Sequence, residues 1–218
     1  MCIHQFVVML VVSFFSALSL ASVTHPSPTQ NSAQLKEYYD SGKYFQAMEG
    51  KIREAKEYID RQLIEPRLNR LAIIFDIDET ALSNYRDLER LHFTHNTQAL
   101  TAAYMMASAP AIPPILDLYQ YALSKKISVF FISERPNTPE ISMVTVKNLK
   151  LAGFDQWDDL ILKPLDKQQS DQDFKTAARR HISLQGFDII INVGDQETDL
   201  KGGFAEVKIK VPNPFYGA

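Results

Sequence analysis

The sequence predicts an α/β fold built on a parallel sheet with helices on both of its faces. Four short runs rich in Ile, Val and Phe lack polar alternation, which is typical of strands buried on both faces. They cover residues 71–77, 127–132, 160–162 and 187–193. Helical segments separate these runs, and a succession of strand, helix and strand indicates parallel strands.

The other elements follow from apolar spacing and from proline. Apolar residues recur every three or four positions over residues 44–64, which predicts one helix, and Pro66 ends it. The apolar stripe of this helix consists of Met48, Ile52, Ala55, Ile59 and Leu63. Further helices are predicted over residues 114–124, 139–151 and 170–184, with a last strand over residues 205–211.

The connection between the first two strands is unusually long, with 48 residues between Asp78 and Ile127. Long connections in compact domains are usually functional. We therefore predict a small helical cap, inserted after the first strand over about residues 83–113. Its aromatic residues Tyr85, Phe93 and Tyr104 either face a substrate or pack the cap itself.

Composition indicates a globular protein, neither disordered nor disulfide-bonded. Of the 218 residues, 45% are hydrophobic and one is a cysteine. The 23 basic and 26 acidic side chains give a net charge of −3. This charge removes the general attraction to phosphate backbones on which nucleic-acid binding relies. We therefore expect no nucleic-acid polymer as a partner.

The N-terminal segment indicates export. Residues 6–20 are apolar or small and uncharged, and this run is shorter than the roughly 20 residues that a membrane span needs. We predict a signal peptide over residues 1–21, an extended leader over residues 22–34 and one domain over residues 35–218. The protein is then periplasmic or secreted, with no stable membrane anchor. Because no Lys or Arg precedes Phe6, an uncleaved anchor is the alternative.

Two acidic motifs follow predicted strands. FDIDET places Asp76 and Asp78 at the end of the first strand, and GDQETD places Asp195 and Asp199 at the end of the fourth. Ligands of open α/β sheets bind at the carboxyl ends of the strands. Crowded carboxylates are costly to bury unless a cation joins them, and oxygen ligands select a hard cation. The motifs therefore predict a Mg²⁺ site.

Three further polar residues follow the other predicted strands. Ser133 and Arg135 come from the sequence SER after the second strand, and Lys163 closes the third. A hydroxyl and an ammonium opposite a metal ion suit the remaining oxygens of a phosphoryl group. Together with the acidic motifs, these residues predict phosphoryl transfer.

The four motifs, in this order, resemble those of the haloacid dehalogenase (HAD) superfamily. Within it, the chain is similar to the acid phosphatase subfamily, HAD subfamily IIIB, which includes class B and plant-type enzymes. The similarity lies in FDIDETALSN at 75–84, GF..W..LIL at 153–162, GDQ..DL at 194–200 and PNPFY at 212–216. It spans roughly Tyr38 to the C-terminus, and it implies a three-layer, Rossmann-like HAD core with a parallel sheet.

The resemblance also implies roles for individual residues. Asp76 would be the nucleophile that forms an aspartyl-phosphate, and Asp78 would be the general acid and base. Ser133 and Lys163 would hold the phosphoryl oxygens. Arg135 would be either a substrate ligand or the partner of a nearby carboxylate.

The metal ligands implied by the resemblance are the Asp76 side chain, the main-chain carbonyl of Asp78 and the Asp195 side chain. Asp199 would bind the metal directly or support its ligands. One departure concerns the second motif, which reads SER where many relatives read TGR or TNR. We hypothesise that Glu134 points away from the phosphate or alters the pH dependence.

The expected function is that of a secreted, magnesium-dependent acid phosphatase that hydrolyses small phosphate monoesters, nucleotides among them. One alternative is a non-catalytic storage or ligand-binding protein on the same fold, against which Asp76 argues. Another is a phosphorylated receiver-like switch, against which the signal peptide and the position of the DxDxT motif argue. The physiological substrate and the oligomeric state stay open.

Overall fold

The computed structural model describes residues 32–64, 66–94, 96–165 and 168–216. The predicted signal peptide and most of the predicted leader lie outside these ranges. Among the described residues, none of the helices has the length and hydrophobicity needed to cross a bilayer.

Five parallel strands form the central sheet within the described ranges, in the spatial order β3-β2-β1-β4-β5. They are β1 (Arg70–Phe75), β2 (Ser128–Pro136), β3 (Asp159–Lys163), β4 (Phe187–Gly194) and β5 (Val207–Lys210). Each of the five predicted strands is therefore confirmed.

The helices are α1 (Ser32–Asp40), α2 (Lys43–Gln62), α3 (Tyr85–Arg90), α4 (Thr97–Met106), α5 (Pro113–Ser124), α6 (Pro139–Leu151), α7 (Asp171–Leu184) and α8 (Glu197–Leu200). Helices α6 and α7 begin at hydroxyl caps, since Thr138 and Ser170 accept hydrogen bonds from backbone amides in the first turns, and the Asn96 side chain caps α4 in the same way. Proline occupies the first turn of α5 and of α6, where its missing N–H costs nothing.

Strand β1 contributes to two separate cores, as expected for the middle layer of three. Ile73 and Phe75 lie in a cluster with buried residues of α2 and α5, whereas Ala72 and Ile74 lie in a second cluster with the apolar face of α7. Alternate residues of a strand point to opposite faces. The three-layer α/β architecture is therefore confirmed.

Three boundaries differ from the sequence prediction. Leu63 follows the last residue of α2 and is 43% exposed, so it does not belong to the apolar stripe. Helix α1 begins at Ser32, so the last three residues of the predicted extended leader are helical. Strand β1 ends at Phe75, and the next residues form a turn. The predicted cap segment contains α3 and α4.

The connections place a crevice beside the central strand. From β1 the chain moves outward to β2 and β3, and it then returns to β4 on the other side of β1. Ligands of open α/β sheets bind at such a switch point, beyond the carboxyl ends of the strands. Here the amide of Asp76 donates a hydrogen bond to the carbonyl of Val193 (3.0 Å), so the two acidic motifs start side by side.

Candidate active site

Three buried aspartates meet at the carboxyl ends of β1 and β4. Asp76, Asp195 and Asp199 each offer one carboxylate oxygen, and these three oxygens lie within 4.8 Å of one another. All three residues are buried, with exposed fractions of 7%, 3% and 2%. The expectation that the two acidic motifs converge is therefore met.

Asp195 is held by hydrogen bonds from three side chains. Thr80 Oγ1 donates to Oδ1 (3.1 Å), while Gln196 Nε2 (2.6 Å) and Asn213 Nδ2 (2.7 Å) donate to Oδ2. Burial and the charge of Asp199 nevertheless raise the pKa of Asp195 to about 6. Thr80 of the first motif thus orients a carboxylate of the second.

Asp199 reaches the cluster through a tight helical turn. The amide of Gln196 donates to Asp199 Oδ2 (2.7 Å), which closes a capping box at the start of α8. A Cβ atom at Gly194 would collide with the Asp199 side chain, so only glycine allows this approach. The glycine of the GDQETD motif is therefore a steric requirement of the site.

The cation inside this cluster is Lys175 of α7. Its Nζ donates to Asp76 Oδ1 (2.7 Å) and to Asp199 Oδ1, and it lies 3.6 Å from Glu134 Oε1. The side chain is 3% exposed. Burial alone would lower the pKa of Lys175, but the surrounding carboxylates raise it, so the ammonium stays charged.

Sequence reasoning missed Lys175, although a signal existed. Lys175 and Arg179 are four residues apart and lie beside the apolar positions Phe174, Ala178 and Ile182 of α7. A cation on the buried side of a helix needs a buried partner. Arg179 meets this need by donating to the carbonyl oxygen of Asp199 in α8 and to those of Lys201 and Gly203 after it.

The structure does not bring Lys163 to the cluster, contrary to the expectation that it holds phosphoryl oxygens. Its ammonium contacts Asp171 Oδ1 instead, and a quarter of its side chain is exposed. The reason is the strand order: β3 is the edge strand, two strand spacings or roughly 10 Å from β1. Helix α7 packs against β2, β4 and α8, so its Lys175 reaches the centre.

Asp78 is paired with Arg135 and not with the other aspartates. Arg135 donates from Nε to Oδ2 (2.9 Å) and from Nη2 to Oδ1 (2.7 Å), and Asn84 Nδ2 also donates to Oδ1 (2.7 Å). Burial would raise the pKa of Asp78, but Arg135 and Asn84 hold it below its ordinary value. Of the two roles left open for Arg135, the structure therefore favours the partner of a carboxylate.

An irregularity in β2 aims Arg135 inward. The pairing of β2 with β3 shifts register between Ser133 and Pro136, which turns the intervening residues out of the regular alternation. The guanidinium then donates to Thr145 Oγ1 (3.1 Å) and stacks over the Tyr104 ring, 4.1 Å from its centroid. Strand β2, helix α6 and the cap thus fix this side chain together.

A cavity of about 270 Å³ opens above these groups. The cap contributes Leu100, Thr101 and Tyr104, while Ser133 and Glu134 contribute from β2. Glu134 faces the cavity, so the hypothesis that it points away from the phosphate site does not hold. Of the three cap aromatics, only Tyr104 lines this cavity.

The other two cap aromatics pack against α1 and against the C-terminal segment, residues 211–216. Tyr39 of α1 stacks on Tyr85 with ring centroids 3.6 Å apart, and Phe93 stacks on Phe215 at 5.8 Å. Tyr44 also contacts Tyr39 and Phe215. These rings form one cluster that joins α1, α2, the cap and the C-terminal segment.

Comparison with known proteins places this chain in a family. Residues 11–218 match the family described as HAD superfamily, subfamily IIIB (acid phosphatase). The chain belongs to this family. The resemblance stated from the four motifs is thereby confirmed.

Two plant relatives in the family carry different names. Acid phosphatase 1 of Solanum lycopersicum is 35% identical over 148 residues, and vegetative storage protein 1 of Arabidopsis thaliana is 35% identical over 149 residues. Each alignment covers 66% of this chain. They cover 57% and 54% of the two relatives, so the chain spans little more than half the length of the proteins it matches.

Among solved structures, the class C acid phosphatase from Bacillus anthracis superposes with a TM-score of 0.71. The two chains are 23% identical, and the superposition covers 85% of this chain and 86% of that one. This similarity supports the HAD-like fold.

The acidic cluster of this HAD chain fits a divalent metal ion. Lys175 is the single ammonium that contacts its carboxylates among the described residues, so the cluster keeps excess negative charge. Burial raises the pKa of Asp76 well above its ordinary value; Lys175 opposes this shift, and the charges of Asp199 and Asp195 add to it. A hard divalent cation would remove this repulsion, and it prefers such oxygen ligands.

A buried glutamate connects the first motif to both the cap and the C-terminal segment. Glu79 accepts hydrogen bonds from the Asn84 amide (2.7 Å) and from the Tyr216 hydroxyl. Burial and the charge of Asp78 raise its pKa to about 8. Its φ of 54° lies in the left-handed region, which is uncommon outside glycine and typical of functional turns. Sequence reasoning did not single out Glu79 or Tyr216.

Proposed function

We propose that this HAD chain hydrolyses phosphate monoesters through a phosphorylated Asp76. The observation that carries the proposal is the position of Asp76 in the wall of the cavity, beside a buried ammonium and two further carboxylates. A carboxylate can act as a nucleophile when nearby positive charge keeps it ionised and lowers its repulsion of a phosphate dianion.

The reaction proceeds in two displacements at phosphorus. In the first, an oxygen of Asp76 bonds to phosphorus while the bond from phosphorus to the ester oxygen breaks, and the leaving alcohol takes a proton from Asp78. In the second, water attacks the aspartyl-phosphate, Asp78 accepts the proton of the water, and the bond between phosphorus and Asp76 breaks to release inorganic phosphate.

Arg135 positions Asp78 for this work. Its two hydrogen bonds fix the Asp78 carboxylate at the cavity in the ionised form that the second displacement needs. Protonation of the leaving alcohol requires Asp78 to carry a proton, which the guanidinium disfavours. The carboxyl must therefore loosen its pairing with Arg135 in the first displacement.

Ser133 and Lys175 are the proposed ligands of the phosphoryl oxygens. Ser133 lines the cavity and is buried, and its Oγ accepts a hydrogen bond from the Arg135 amide (3.2 Å), so its own proton is free to point at a ligand. Removal of one preorganised donor of this kind typically costs about 10²–10³ in kcat. Lys175 thus takes the role that the sequence assigned to Lys163.

We further propose Mg²⁺ as the metal, with Asp76, Asp195 and the main-chain carbonyl of Asp78 as ligands and Asp199 beside them. When bound, the ion supplies positive charge at the phosphoryl group and orients it for attack. The proposed substrates are small monoesters, nucleoside monophosphates among them. Export to the periplasm or out of the cell is proposed from residues 1–21.

The test is hydrolysis of p-nitrophenyl phosphate by the purified protein across pH, with Mg²⁺ and with EDTA. The Asp76→Asn variant removes the nucleophile, and Asp117→Asn, at a surface ion pair with Lys56, is the matched control. We expect turnover that needs both the metal and Asp76 and that survives the control substitution. Equal turnover by the wild type and Asp76→Asn would refute the proposed intermediate.

The second candidate function is that of a non-catalytic storage protein, which the similarity to vegetative storage protein 1 supports. It predicts a folded, metal-binding protein without turnover. The assay above separates the two functions, because in a storage protein neither the wild type nor Asp76→Asn shows turnover.

A further inference from the structure

Glu134 is the one carboxylate in the cavity wall that neither the proposed reaction nor the metal site uses. Its Oε1 lies 3.5 Å from Thr198 Oγ1 and 3.6 Å from Lys175 Nζ. Within the described part of the chain, Oε2 has no hydrogen-bond or ion-pair partner. The side chain therefore has capacity left to interact with a bound molecule.

Glu134 is also the outermost acidic group of the cavity. Its side chain is 39% exposed, compared with 16% for Asp78 and 8% for Asp76. A phosphoryl group attacked by Asp76 lies deep in the cavity. In an in-line displacement the leaving alcohol points away from the nucleophile, and from the exposures of these carboxylates we infer that it points towards the side of the cavity to which Glu134 belongs.

The charge of Glu134 decides the net charge of the cavity wall. The wall carries five carboxylates, and its two cations are Lys175 and Arg135. With all five carboxylates ionised, one divalent ion leaves a single net negative charge, and the same wall without Glu134 is neutral. The neighbouring Lys163 and Asp171 pair with each other and change this balance little.

We propose that Glu134 selects among phosphate monoesters by the charge of the leaving alcohol, which deepens the proposed phosphatase function and rests on it. The favoured class is an alcohol that carries a cationic group, such as an amino alcohol, because Oε2 can accept its N–H. Neutral alcohols are tolerated. Esters with a second anionic group near the mouth are disfavoured by repulsion.

The experiment compares kcat/KM for three esters of similar size with the full chain in Mg²⁺. The three esters differ in the charge of the leaving alcohol. It is cationic in O-phosphoethanolamine, neutral in glycerol phosphate and anionic in 3-phosphoglycerate. The variant is Glu134→Gln, which keeps the size and removes the charge. Glu140→Gln removes the same charge from an exposed position at the start of α6, outside the cavity, and serves as the control.

For the wild type, we expect kcat/KM for the ester with the cationic leaving group to exceed that for the ester with the anionic one by about tenfold. This is the effect of one charge at a partly buried site. In Glu134→Gln the ratio falls close to one, chiefly through a lower KM for 3-phosphoglycerate. The control keeps the wild-type ratio. Added salt lowers the ratio of the wild type and hardly changes that of Glu134→Gln.

Two outcomes overturn the proposal, and they are distinguishable from failure of the phosphatase function. If glycerol phosphate is hydrolysed and Glu134→Gln leaves the ratio unchanged, charge selection by Glu134 is refuted while the phosphatase stands. If Glu140→Gln changes the ratio as much as Glu134→Gln does, the effect belongs to overall charge. If none of the three esters is hydrolysed by folded, metal-loaded protein, both proposals fail.

Discussion

Replacement of Lys175 by methionine is expected to remove most of the proposed phosphatase activity, whereas the same replacement of Lys163 is not. The two lysines differ in their surroundings. Lys175 is buried between Asp76 and Asp199, whereas Lys163 lies at the sheet edge with Asp171. The structure assigns the phosphoryl-binding role to Lys175, whereas the sequence assigned it to Lys163. The same substitution at both positions therefore distinguishes the two assignments.

The structure gives the expected magnitudes. Removal of one partner from a buried ion pair costs about 3–5 kcal/mol, because it leaves the other charge buried without compensation. For a domain of this size that loss corresponds to a melting temperature lower by roughly 6–20 °C. A bound divalent ion reduces the loss, since it supplies positive charge to the same carboxylates. Loss of a phosphoryl ligand lowers kcat by about 10²–10³.

Lys163→Met breaks a partly exposed pair instead, and such pairs are worth about 0–1 kcal/mol. We expect its kcat to stay within about threefold of the wild type. The assay is p-nitrophenyl phosphate hydrolysis in Mg²⁺, with circular dichroism to show that each variant is folded at the assay temperature. Lys175→Arg keeps the positive charge, so it should recover part of the stability without the geometry that catalysis needs.

A loss of 10² or more in Lys163→Met, together with an active Lys175→Met, would refute this assignment. It would show that β3 and α7 rearrange when substrate binds. A folded Lys175→Met with full activity would show that Lys175 only neutralises buried charge.

Three further predictions concern stability, measured by thermal unfolding. Mg²⁺ at 100 times its Kd should stabilise the wild type by about 2.7 kcal/mol, and Asp195→Asn should lose most of this gain; an equal gain would contradict the metal site. Phe215→Ala should cost about 3–5 kcal/mol, because Phe215 packs among the buried rings; a cost below about 1 kcal/mol would show that the C-terminal segment is not part of the core. Arg67 lowers the pKa of Glu206, so this pair stabilises the fold above the unfolded-state pKa and the benefit is lost as the pH falls through the folded one. The difference in melting temperature between the wild type and Glu206→Gln should therefore shrink from pH 7 to pH 4, and a constant difference would count against the pair.

Most of the fold could be predicted from the sequence because its signals are local. Buried parallel strands are continuous apolar runs, and caps such as Thr138 and Ser170 mark helix starts. The sequence places the end of an element wrongly where the apolar pattern continues past it. Leu63 continues the stripe of α2 by spacing, yet the helix has already ended.

The acidic part of the site could be predicted for a related reason. Asp76 and Asp195 immediately follow β1 and β4, so strand direction alone places them at one edge of the sheet. Lys163 follows a strand too, and the same rule suggested it for the site. That a residue follows a strand says nothing about where the strand lies in the sheet. The strand order places β3 at the edge, away from β1.

The residues that sequence reasoning missed have a common physical role: they are partners of the motif carboxylates. Lys175 neutralises Asp76, Asn213 donates to Asp195, and Tyr216 donates to Glu79. A buried carboxylate must find such partners, but any element that passes the strand ends can supply them. Their positions depend on how α7 and the C-terminal segment pack, which no short motif records.

This dependence couples the site to the packing of α1 and the C-terminal segment. The C-terminal segment reaches the carboxylates through Asn213 and Tyr216, and between these two residues Phe215 is inserted into the aromatic cluster with Tyr39 of α1. Loosening that cluster releases the Asn213 donor of Asp195 and the Tyr216 donor of Glu79, so the Asp195 carboxylate is held less firmly against the charge of Asp199. Substitutions in the cluster should therefore weaken binding of the proposed metal as well as stability, although none of its rings lines the cavity.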